Sequence, residues 1–327
     1  MNEFELISRY FKREQNASTP SNIRLGIGDD CALFSPSENM CLAISTDMLV
    51  EGRHFLPTIA PRHLGHKALA VNLSDLAAMG ATPKAFTLSL ALPQADDKWC
   101  QEFAQGLFDL ADRYHCSLMG GDLVQGSLCI NITIFGEVSP IRALRRIGAN
   151  VGDDIYISHP IQDGIGAPRL LYEALCGRTQ LTANAFDIGM QRTELPSPRV
   201  ELGIALQGIA TSAIDVSDGL IGDLSHLLSN SRVGARIEVD SIPRSSALHN
   251  QPIELQRLCI LAGGDDYELL FTAPPSQRAN ILTAAHQCQL AVTSIGRIEE
   301  RIGTYLYDAR GQRIANTYHS FDHFEKK

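Results

Sequence analysis

The sequence predicts an α/β (α+β) protein built from two domains. At 327 residues the chain is long for a single domain, and its length suggests about two. The first half holds long strands with alternating apolar positions, whereas the second half alternates short strands with helices. Between them, the segment 142–154, "RALRRIGANVGDD", has the glycine and charge density of a domain boundary. This order favours two mixed domains over one doubly wound sheet.

The elements of the first half follow from apolar spacing and from helix start and stop signals. Phe4, Ile7 and Phe11 share one helical face, and a later helix has Pro61 near its start and Gly80 as its stop. The segment "SLMGGDLV" is predicted as a strand that runs into a Gly-Gly turn. The predicted elements are helix 3–15, strand 41–50, helix 61–80, strand 84–92, helix 96–115, strand 117–124 and strand 127–138.

The second half continues as strands that alternate with helices. A polar stretch that ends at Pro198 carries no predicted element, and "SAIDVSDGLIGDLSHLL" predicts a strand, a turn and a helix. The other predicted elements are strand 154–158, helix 165–176, helix 199–210, strand 235–239, helix 254–262, strand 267–272, helix 276–287 and strand 291–297.

Composition and charge narrow the class of partner. The net charge of −9 weighs against a nucleic-acid or anionic-membrane surface, because both need clustered Lys and Arg. It leaves an anionic substrate open, since bound metal ions invert local charge. The eight cysteines include no CxxC pair, which weighs against a structural zinc site, and their scatter along the chain is typical of reduced thiols. With no signal-peptide pattern and no apolar run near the ~18 residues that span a bilayer, we expect a cytoplasmic protein.

Familiar catalytic motifs are missing from the sequence. It has no GxxxxGK[ST] phosphate loop, no protein-kinase signatures, no GxSxG and no HExxH. The segment "GIGDDC" begins like a dinucleotide-binding GxGxxG, but Cys31 stands where the last glycine belongs. The sequence therefore offers neither a lysine-based nucleotide site nor an evident nucleophile.

Aspartates recur at element boundaries, each beside glycine, serine or threonine. Taken singly, Asp75 or Asp218 is typical of a helix cap or a turn. As a set they indicate several Mg²⁺ ions around a polyphosphate, because Mg²⁺ takes hard oxygen ligands together with substrate phosphates. The motifs are "GIGDD" (26–30), "ISTDM" (44–48), "VNLSDLAAMGA" (71–81), "LMGGD" (118–122), "AIDVSDGL" (213–220) and "AGGDDYEL" (262–269).

In this order and at these spacings the motifs resemble those of bacterial thiamine-monophosphate kinases. Those enzymes belong to the superfamily of aminoimidazole ribonucleotide synthetase and selenophosphate synthetase. The resemblance runs from about residue 4 to 324. It implies ATP-dependent phosphorylation of thiamine monophosphate to thiamine diphosphate, the last step of thiamine diphosphate biosynthesis. It also implies a homodimer paired through the N-terminal strands.

The resemblance further implies that the two domains have different functions. Residues 1–148 would form an N-terminal mixed-sheet domain for ATP, Mg²⁺ and dimerisation, and residues 149–327 a C-terminal α/β domain that completes the nucleotide and substrate site. The implied Mg²⁺ ligands are Asp30, Ser45, Thr46, Asp47, Asp75, Asp122, Asp215 and Asp218. The implied ATP contacts are Gly121, Asp122, Arg146, Ser217 and Tyr114, and the implied thiamine contacts are His54, Asp265 and Phe321.

Two positions depart from the family pattern. Asp265 stands where relatives often have Glu, so the carboxylate that would face the thiamine cation is one methylene shorter. Phe321 stands where relatives carry Tyr or Trp, which keeps a ring for a cation–π contact. Without the resemblance, a histidine such as His54 is more often a surface or packing residue, and Arg146 is equally well interpreted as a solvated arginine. Asp112, Asp223 and Asp240 are interpreted as solvated or capping charges.

The implied reaction needs no protein base. A phosphate monoester has a second pKa near ~6, so the attacking oxygen is largely ionised at neutral pH. The obstacle is repulsion between two phosphates, which metal ions and positioning relieve. We therefore expect direct in-line transfer without a phospho-enzyme and without a catalytic side chain.

Three alternatives remain at the level of sequence. One is aminoimidazole ribonucleotide synthetase chemistry. Another is selenophosphate synthetase chemistry, although residues 1–24 contain no cysteine for it. The third is a non-catalytic regulator that binds Mg²⁺ and nucleotide.

Overall fold

The computed structural model describes residues 3–13 and 22–320, which group into two compact units. The first unit comprises residues 1–76 and 81–141, and the second comprises 77–80 and 142–327. Each unit has its own sheet. Two mixed units confirm the predicted two-domain α/β (α+β) class, while the functional division at residue 148 stays a prediction.

The first unit is built on a four-stranded mixed sheet. The sheet has the order β3-β6-β4-β5, in which only the β4–β5 pair is parallel. The chain begins with a helical segment, α1 (Glu3–Leu6), which continues as a π-helix over Ile7–Phe11. The other elements are β1 (Ile23–Leu25), β2 (Leu33–Phe34), β3 (Cys41–Val50), α2 (Pro61–Ala78), β4 (Thr82–Leu92), α3 (Asp97–Arg113), β5 (Ser117–Gln125) and β6 (Cys129–Val138).

One face of this sheet carries the core of the first unit. Strand alternation places Ile130, Ile132 and Ile134 of β6 on that face, all almost fully buried. Helix α2 packs there, since the side chain of its Leu76 lies 3.0 Å from where a Cβ on Gly136 would stand. Helices α2 and α3 cross closely, because a Cβ on Gly65 would overlap the Phe103 carbonyl.

The opposite face of the sheet is largely exposed. Ile44 and Met48 of β3 expose 58% and 53% of their surface, and Val124 of β5 exposes 50%. One end of this face is covered by the described residues, where Ile23 and Phe34 of the small β1–β2 sheet pack among Ala85, Met119 and Phe135. We call this face of the four-stranded sheet the open face.

The second unit is built on a seven-stranded sheet of order β13-β12-β9-β11-β7-β10-β8, parallel only between β9 and β12. Its core is one large apolar cluster that includes Ile155, Leu224, Ile237 and Leu270. Its strands and helices are β7 (Asp154–His159), α4 (Ala167–Leu175), α5 (Ala183–Glu194), α6 (Val200–Ala205), β8 (Ser212–Asp215), α7 (Leu220–Ser231), β9 (Gly234–Glu238), α8 (Ile253–Ala262), β10 (Leu269–Ala273), α9 (Arg278–Gln287), β11 (Ala291–Glu299), β12 (Gly303–Tyr307) and β13 (Arg313–Ile314).

Three sequence-based predictions of elements were wrong or incomplete. The Gly-Gly turn does not form: Gly120 and Gly121 lie inside β5, where the register against β4 shifts. The polar stretch before Pro198 contains α5, capped by the Thr182 hydroxyl, which accepts from the Ala185 N–H. The sheet of the second unit also gains β12 and β13 after the last predicted strand.

Over the residues that the structure describes, every helix is too short or too polar to span a bilayer. All eight cysteines are free thiols, as expected from their scatter. Burial raises the pKa of the Cys100 thiol to about 11 and that of Cys259 to about 12.

Candidate active site

Ser45 and Asp75 of the first unit lie in direct contact. The Ser45 hydroxyl donates to Oδ2 of Asp75 at 2.5 Å, which joins strand β3 to helix α2. Asp47 is two residues beyond Ser45, so it leaves β3 on the same face. Their partners across the strand pair, Ile134 and Ile132, are almost fully buried. This edge of the core face therefore holds three of the predicted Mg²⁺ ligands.

Thr46, predicted with them, leaves β3 on the opposite side. Its hydroxyl donates to the Ile132 carbonyl at 3.1 Å and accepts from Asn131 Nδ2 at 3.2 Å. The strand alternation puts this side chain on the open face, away from Ser45. A metal ion bound by both Ser45 and Asp75 would therefore be coordinated by Thr46 only through its main-chain carbonyl oxygen.

Asp122 also lies on the open face. It pairs with Ser89 across β4–β5, and Ser89 pairs with Asn131 on β6, so these side chains share one face. Asp122 is exposed, and its Oδ1 accepts from the Leu123 N–H at 3.0 Å. Two strands separate Asp122 on β5 from β3, which corresponds to about 14 Å at ordinary strand spacing.

Gly121 beside it tolerates no side chain. Its φ is +153°, and a Cβ there would lie 1.9 Å from the Leu88 carbonyl oxygen. The "GGD" motif thus follows a register shift at Met119, and Gly121 lets the main chains of β4 and β5 approach closely. The glycine keeps Asp122 in register on the last strand of the sheet.

The "GIGDD" loop is an exposed turn. Gly28 has a φ of +129°, and Oδ1 of Asp29 accepts from the Asp30 N–H at 2.9 Å. The Lys12 ammonium lies 3.4 Å from where a Cβ on Gly28 would stand, so the turn has a cation beside it. Asp29 therefore shapes the turn through the amide of Asp30.

The other two predicted ligand contacts of the first unit lie at element ends. His54 sits in the turn after β3, where its Nδ1 accepts from the Val50 N–H at 3.0 Å, which places the proton of the neutral ring on Nε2. Tyr114 ends helix α3 and exposes only 8% of its surface. Little of the Tyr114 ring is available to a nucleotide in this arrangement.

In the second unit, the predicted residue Asp215 ends β8, and Ser217 and Asp218 lie in the loop that follows it before α7. We call residues 215–219 the DVSDG loop. A single oxygen of Asp223, Oδ2, accepts from the main-chain N–H groups of Ser217, Asp218 and Gly219 at 3.1, 3.2 and 3.1 Å. Asp223 belongs to the first turn of α7, so the loop folds back onto the helix that it precedes.

Of the two interpretations offered for Asp223, the structure confirms a capping charge and not a solvated one. Asp223 is 3% exposed, and it caps main-chain amides rather than standing in solvent. Burial, together with the neighbouring charges of Asp215 and Asp218, raises its pKa to about 7. The signal in the sequence was its place four residues after Gly219, in a first helical turn, where carboxylates are favoured. Asp112 and Asp240 behave as interpreted and pair with Arg13 and Arg244.

The "GGDDYEL" segment runs alongside the DVSDG loop. The Asp265 N–H donates to the Ser217 carbonyl at 2.9 Å, and the Tyr267 N–H donates to the Val216 carbonyl at 2.8 Å. A Cβ on Gly264 would lie 2.4 Å from that Ser217 oxygen. The two motifs are therefore one structure, in which glycine permits the close approach.

Asp265 itself is held in an unusual conformation. Its φ is +64° and that of Tyr267 is +51°, and the Tyr267 hydroxyl donates to Asp265 Oδ1 at 3.1 Å. Non-glycine residues with positive φ are uncommon and concentrate at functional sites. The structure thus fixes the carboxylate that the family pattern assigns to the thiamine end.

Buried carboxylates behind this segment anchor it. Asp266 accepts from the Gly166 N–H at the start of α4, and burial raises its pKa to about 7. Glu268 is fully buried and pairs with Arg199 and Arg192, which hold the pKa of its carboxyl below its usual range against the effect of burial. These pairs support the segment from inside the second unit.

Arg146 and the C-terminal tail complete the predicted set. Arg146 is exposed, its carbonyl accepts from Ser231 Oγ at 3.4 Å, and it lies near the C-terminal end of α7. Phe321 falls outside the described residues. Ser320 packs on α7, since a Cβ on Gly222 would lie 2.2 Å from that of Ser320. Ser320 therefore lies against the helix turn that contains Asp223.

The donor set fits Mg²⁺ in chemistry. Hydroxyl and carboxylate oxygens meet at Ser45 and Asp75, and Mg²⁺ uses one or two carboxylates with waters and phosphates instead of an all-protein cage. Among residues 3–13 and 22–320, no three His, Cys, Asp or Glu side chains converge as metal ligands. The predicted ligand set therefore stays a prediction, with Ser45 and Asp75 as its joined pair.

Family models define the class of protein to which this fold and these motifs belong. Residues 28–138 match the model described as AIR synthase related protein, N-terminal domain. Residues 150–308 match AIR synthase related protein, C-terminal domain. The chain is a two-domain protein of the AIR synthase related class.

Individual relatives narrow the class further. The chain is 44% identical over 324 residues to the thiamine-monophosphate kinase of Escherichia coli, and 98% of each chain is covered. The crystal structure of thiamine-monophosphate kinase from Stenotrophomonas maltophilia is similar with a TM-score of 0.82 and 39% identity, covering 95% of this chain and 96% of that chain. The structure of AaThiL complexed with AMPPCP and TMP is similar with a TM-score of 0.75 and 29% identity, covering 88% of this chain and 89% of that chain. This chain belongs to the thiamine-monophosphate kinase family.

Proposed function

We propose that this chain transfers the γ-phosphoryl group of ATP to thiamine monophosphate, giving thiamine diphosphate and ADP. The observation that carries the proposal is its identity of 42–44%, over nearly the whole length, to thiamine-monophosphate kinases. The complex of the similar AaThiL with AMPPCP and TMP supports ATP as the co-substrate. The reaction class is a phosphotransferase with a phosphate group as acceptor.

The transfer proceeds directly from ATP to the acceptor phosphate. That phosphate is largely ionised at neutral pH, so its attacking oxygen does not need to be deprotonated by a protein base. The chain must instead position two anionic groups in line and exclude competing water. No protein nucleophile is needed, and the aspartates of the site are engaged in holding other groups.

Magnesium ions, when bound, offset the charge of both phosphates. We assign their coordination in the first unit to Ser45, Asp47 and Asp75 on the core face, and to Asp30 and Asp122 beyond it. In the second unit we assign it to Asp215 and Asp218. Thr46 contributes through its main chain. These ligands are oxygen donors throughout, as Mg²⁺ prefers.

Ligand recognition is assigned to residues at element ends. We place the nucleotide at Gly121, Asp122, Arg146 and Ser217, with Tyr114 at the margin because it is buried. Arg146 provides a guanidinium that suits bidentate phosphate contact. The thiamine end is assigned to His54, Asp265 and Phe321, of which Asp265 supplies a carboxylate for the cationic ring. The contact of Ser320 with α7 supports a tail that reaches this region.

The open face supports a homodimer formed through the first unit. β3 is a ten-residue edge strand whose outward side chains include the exposed Ile44 and Met48. Long apolar edges and faces of this kind are usually covered by a partner. Thr46 on β3 and Asp122 on β5 lie at opposite edges of the sheet, so a second copy that pairs along these edges would bring such ligands together.

An acceptor panel tests the proposal. The protein is incubated with Mg-ATP and each of three acceptors: thiamine monophosphate, formylglycinamidine ribonucleotide (the precursor of aminoimidazole ribonucleotide) and selenide. We expect turnover with thiamine monophosphate alone, and we expect it to give ADP and thiamine diphosphate in equal amounts. Turnover with another acceptor instead would indicate another member of the superfamily. ATP binding without turnover of any acceptor would indicate a regulator and refute the proposal.

A further inference from the structure

Asp223 lies behind the DVSDG loop and accepts hydrogen bonds from its main chain. Its Oδ2 accepts from three successive amides, those of Ser217, Asp218 and Gly219, at 3.1 to 3.2 Å. The side chain is 3% exposed, so solvent does not compete for these bonds. One side-chain oxygen that accepts from three successive N–H groups fixes the positions of three consecutive main-chain amides.

Successive amides that point to one spot form an anion-binding concavity, which in many nucleotide-binding loops receives a phosphate. Here the chain's own carboxylate fills that position. A phosphate therefore cannot use these three N–H groups while Asp223 holds them. The loop has to meet an anionic ligand through its side chains and the cations that they hold.

The carbonyl side of the same loop is fixed as well. The carbonyls of Val216 and Ser217 accept from the N–H groups of Tyr267 and Asp265. Gly219 has a φ of +126°, and a Cβ there would lie 3.0 Å from the Ala262 carbonyl carbon. Glycine therefore permits a close approach of the two main chains at this point. A main chain held at both its amides and its carbonyls sets the directions in which the side chains of Ser217 and Asp218 leave it.

We infer that Asp223 is a positioning residue that orients Ser217 and Asp218 for the metal ion and nucleotide by binding their main-chain amides. This inference rests on the proposed function for the roles of Ser217 and Asp218. Partners one step removed from a metal commonly change its affinity or the activity by about 10- to 100-fold when they are lost. Asp223 acts through the loop and does not itself contact the reacting groups.

Two variants and a matched control test this role. Asp223→Ala removes the hydrogen-bond acceptor. Asp223→Asn keeps the size of the side chain and one acceptor oxygen but removes the charge. Asp240→Asn is the control, because Asp240 also accepts a main-chain N–H, that of Ala309, in a part of the second unit where no ligand contact is assigned. Far-UV circular dichroism and thermal unfolding establish that each variant is folded.

The first readout is hydrogen–deuterium exchange of the metal-free protein. The amides of Ser217, Asp218 and Gly219 are expected to exchange slowly in the wild type, fast in Asp223→Ala and at an intermediate rate in Asp223→Asn. The second readout is Mn²⁺ binding in the presence of AMPPCP, followed by electron paramagnetic resonance. We expect affinity to fall about 10- to 100-fold in Asp223→Ala.

The third readout is steady-state kinetics with thiamine monophosphate. We expect kcat to fall by a similar factor in Asp223→Ala, with an unchanged KM for thiamine monophosphate and full activity in Asp240→Asn. Fast exchange of the three amides in the wild type, or unchanged Mn²⁺ affinity and kcat in a folded Asp223→Ala, would overturn the inference. If Asp223→Ala does not fold, Asp223→Asn decides by the same criteria. If the wild type does not phosphorylate thiamine monophosphate, the proposed function fails, whereas the exchange and Mn²⁺ measurements still decide the role of Asp223.

Discussion

Ser45 and Asp75 show how single residues acquire a role that the sequence only outlines. They are 30 positions apart, and the fold places the hydroxyl of one against the carboxylate of the other. The sequence motif grouped Ser45, Thr46 and Asp47 as Mg²⁺ ligands, whereas the pairing of β3 with β6 puts Thr46 on the face opposite the other two. Sequence alone could not indicate the role of Asp223, because only the folded loop shows three amides converging on its carboxylate.

Asp75→Asn is expected to abolish turnover and to leave the fold intact. The amide retains the size and one acceptor oxygen but has no charge to offer a Mg²⁺ ion. Steady-state kinetics and a thermal unfolding curve measure the two effects. Asp112→Asn is the matched control, since this exposed carboxylate of α3 pairs with Arg13 and has no assigned role. Near-normal activity in Asp75→Asn would refute the metal assignment of the first unit.

At the scale of elements, motifs that resemble turns can lie within strands. Gly120 and Gly121 were predicted as a turn because paired glycines usually mark one. Here they lie within β5 just after a register shift, and Gly121 permits a close approach to the Leu88 carbonyl that depends on the neighbouring strand and leaves no local signal. Helix α5 was missed for a related reason, since of its residues only Ala185 and Gly189 are buried and its apolar period is weak.

The start of β7 and helix α9 are joined by an ion pair that makes stability depend on pH. Arg278 donates to both oxygens of Asp154 and, with burial opposing it, holds the pKa of that carboxyl below its usual range. A carboxyl whose pKa is lower in the folded state than in the unfolded state stabilises the folded state at pH values above its unfolded pKa. That contribution is lost as pH falls through the folded pKa.

Asp154→Asn is therefore expected to lower the melting temperature at neutral pH and to match the wild type in acid. Thermal unfolding followed across a pH series measures the gap between the two proteins. Arg278→Met removes the same pair from the other side and should give the same closing gap. A gap that stays constant from neutral to acidic pH would mean that the pair contributes nothing through the charge of Asp154.

At the scale of the whole molecule, the sequence was most informative about class and least informative about assembly. Its ordered motifs indicated the thiamine-monophosphate kinase family, and the full-length similarity confirms that assignment. The periodicity of β3 and β6 predicted apolar strands but could not tell a buried face from an open one. That distinction depends on which side the helices α2 and α3 cover.

The open face gives a direct prediction of assembly. Ile44→Asp places a charge on this face and is expected to convert a dimer of twice 35.7 kDa into a monomer. Sedimentation velocity measures the mass. Leu282→Asp is the matched control, because Leu282 is 60% exposed on α9 of the second unit. A wild-type monomer, or a dimer that survives Ile44→Asp, would exclude assembly through this face.

Direct transfer between two bound phosphates is the central claim, and a single-turnover experiment with ATP labelled in the γ-phosphate tests it. The enzyme is mixed with thiamine monophosphate and Mg²⁺, quenched in acid or alkali at successive times, and separated into protein, nucleotide and thiamine fractions. We predict that the label enters only the terminal phosphate of thiamine diphosphate, and that it appears there at the rate at which it leaves ATP. Label found on the protein before it reaches thiamine diphosphate, or released as inorganic phosphate without thiamine diphosphate, would contradict the account.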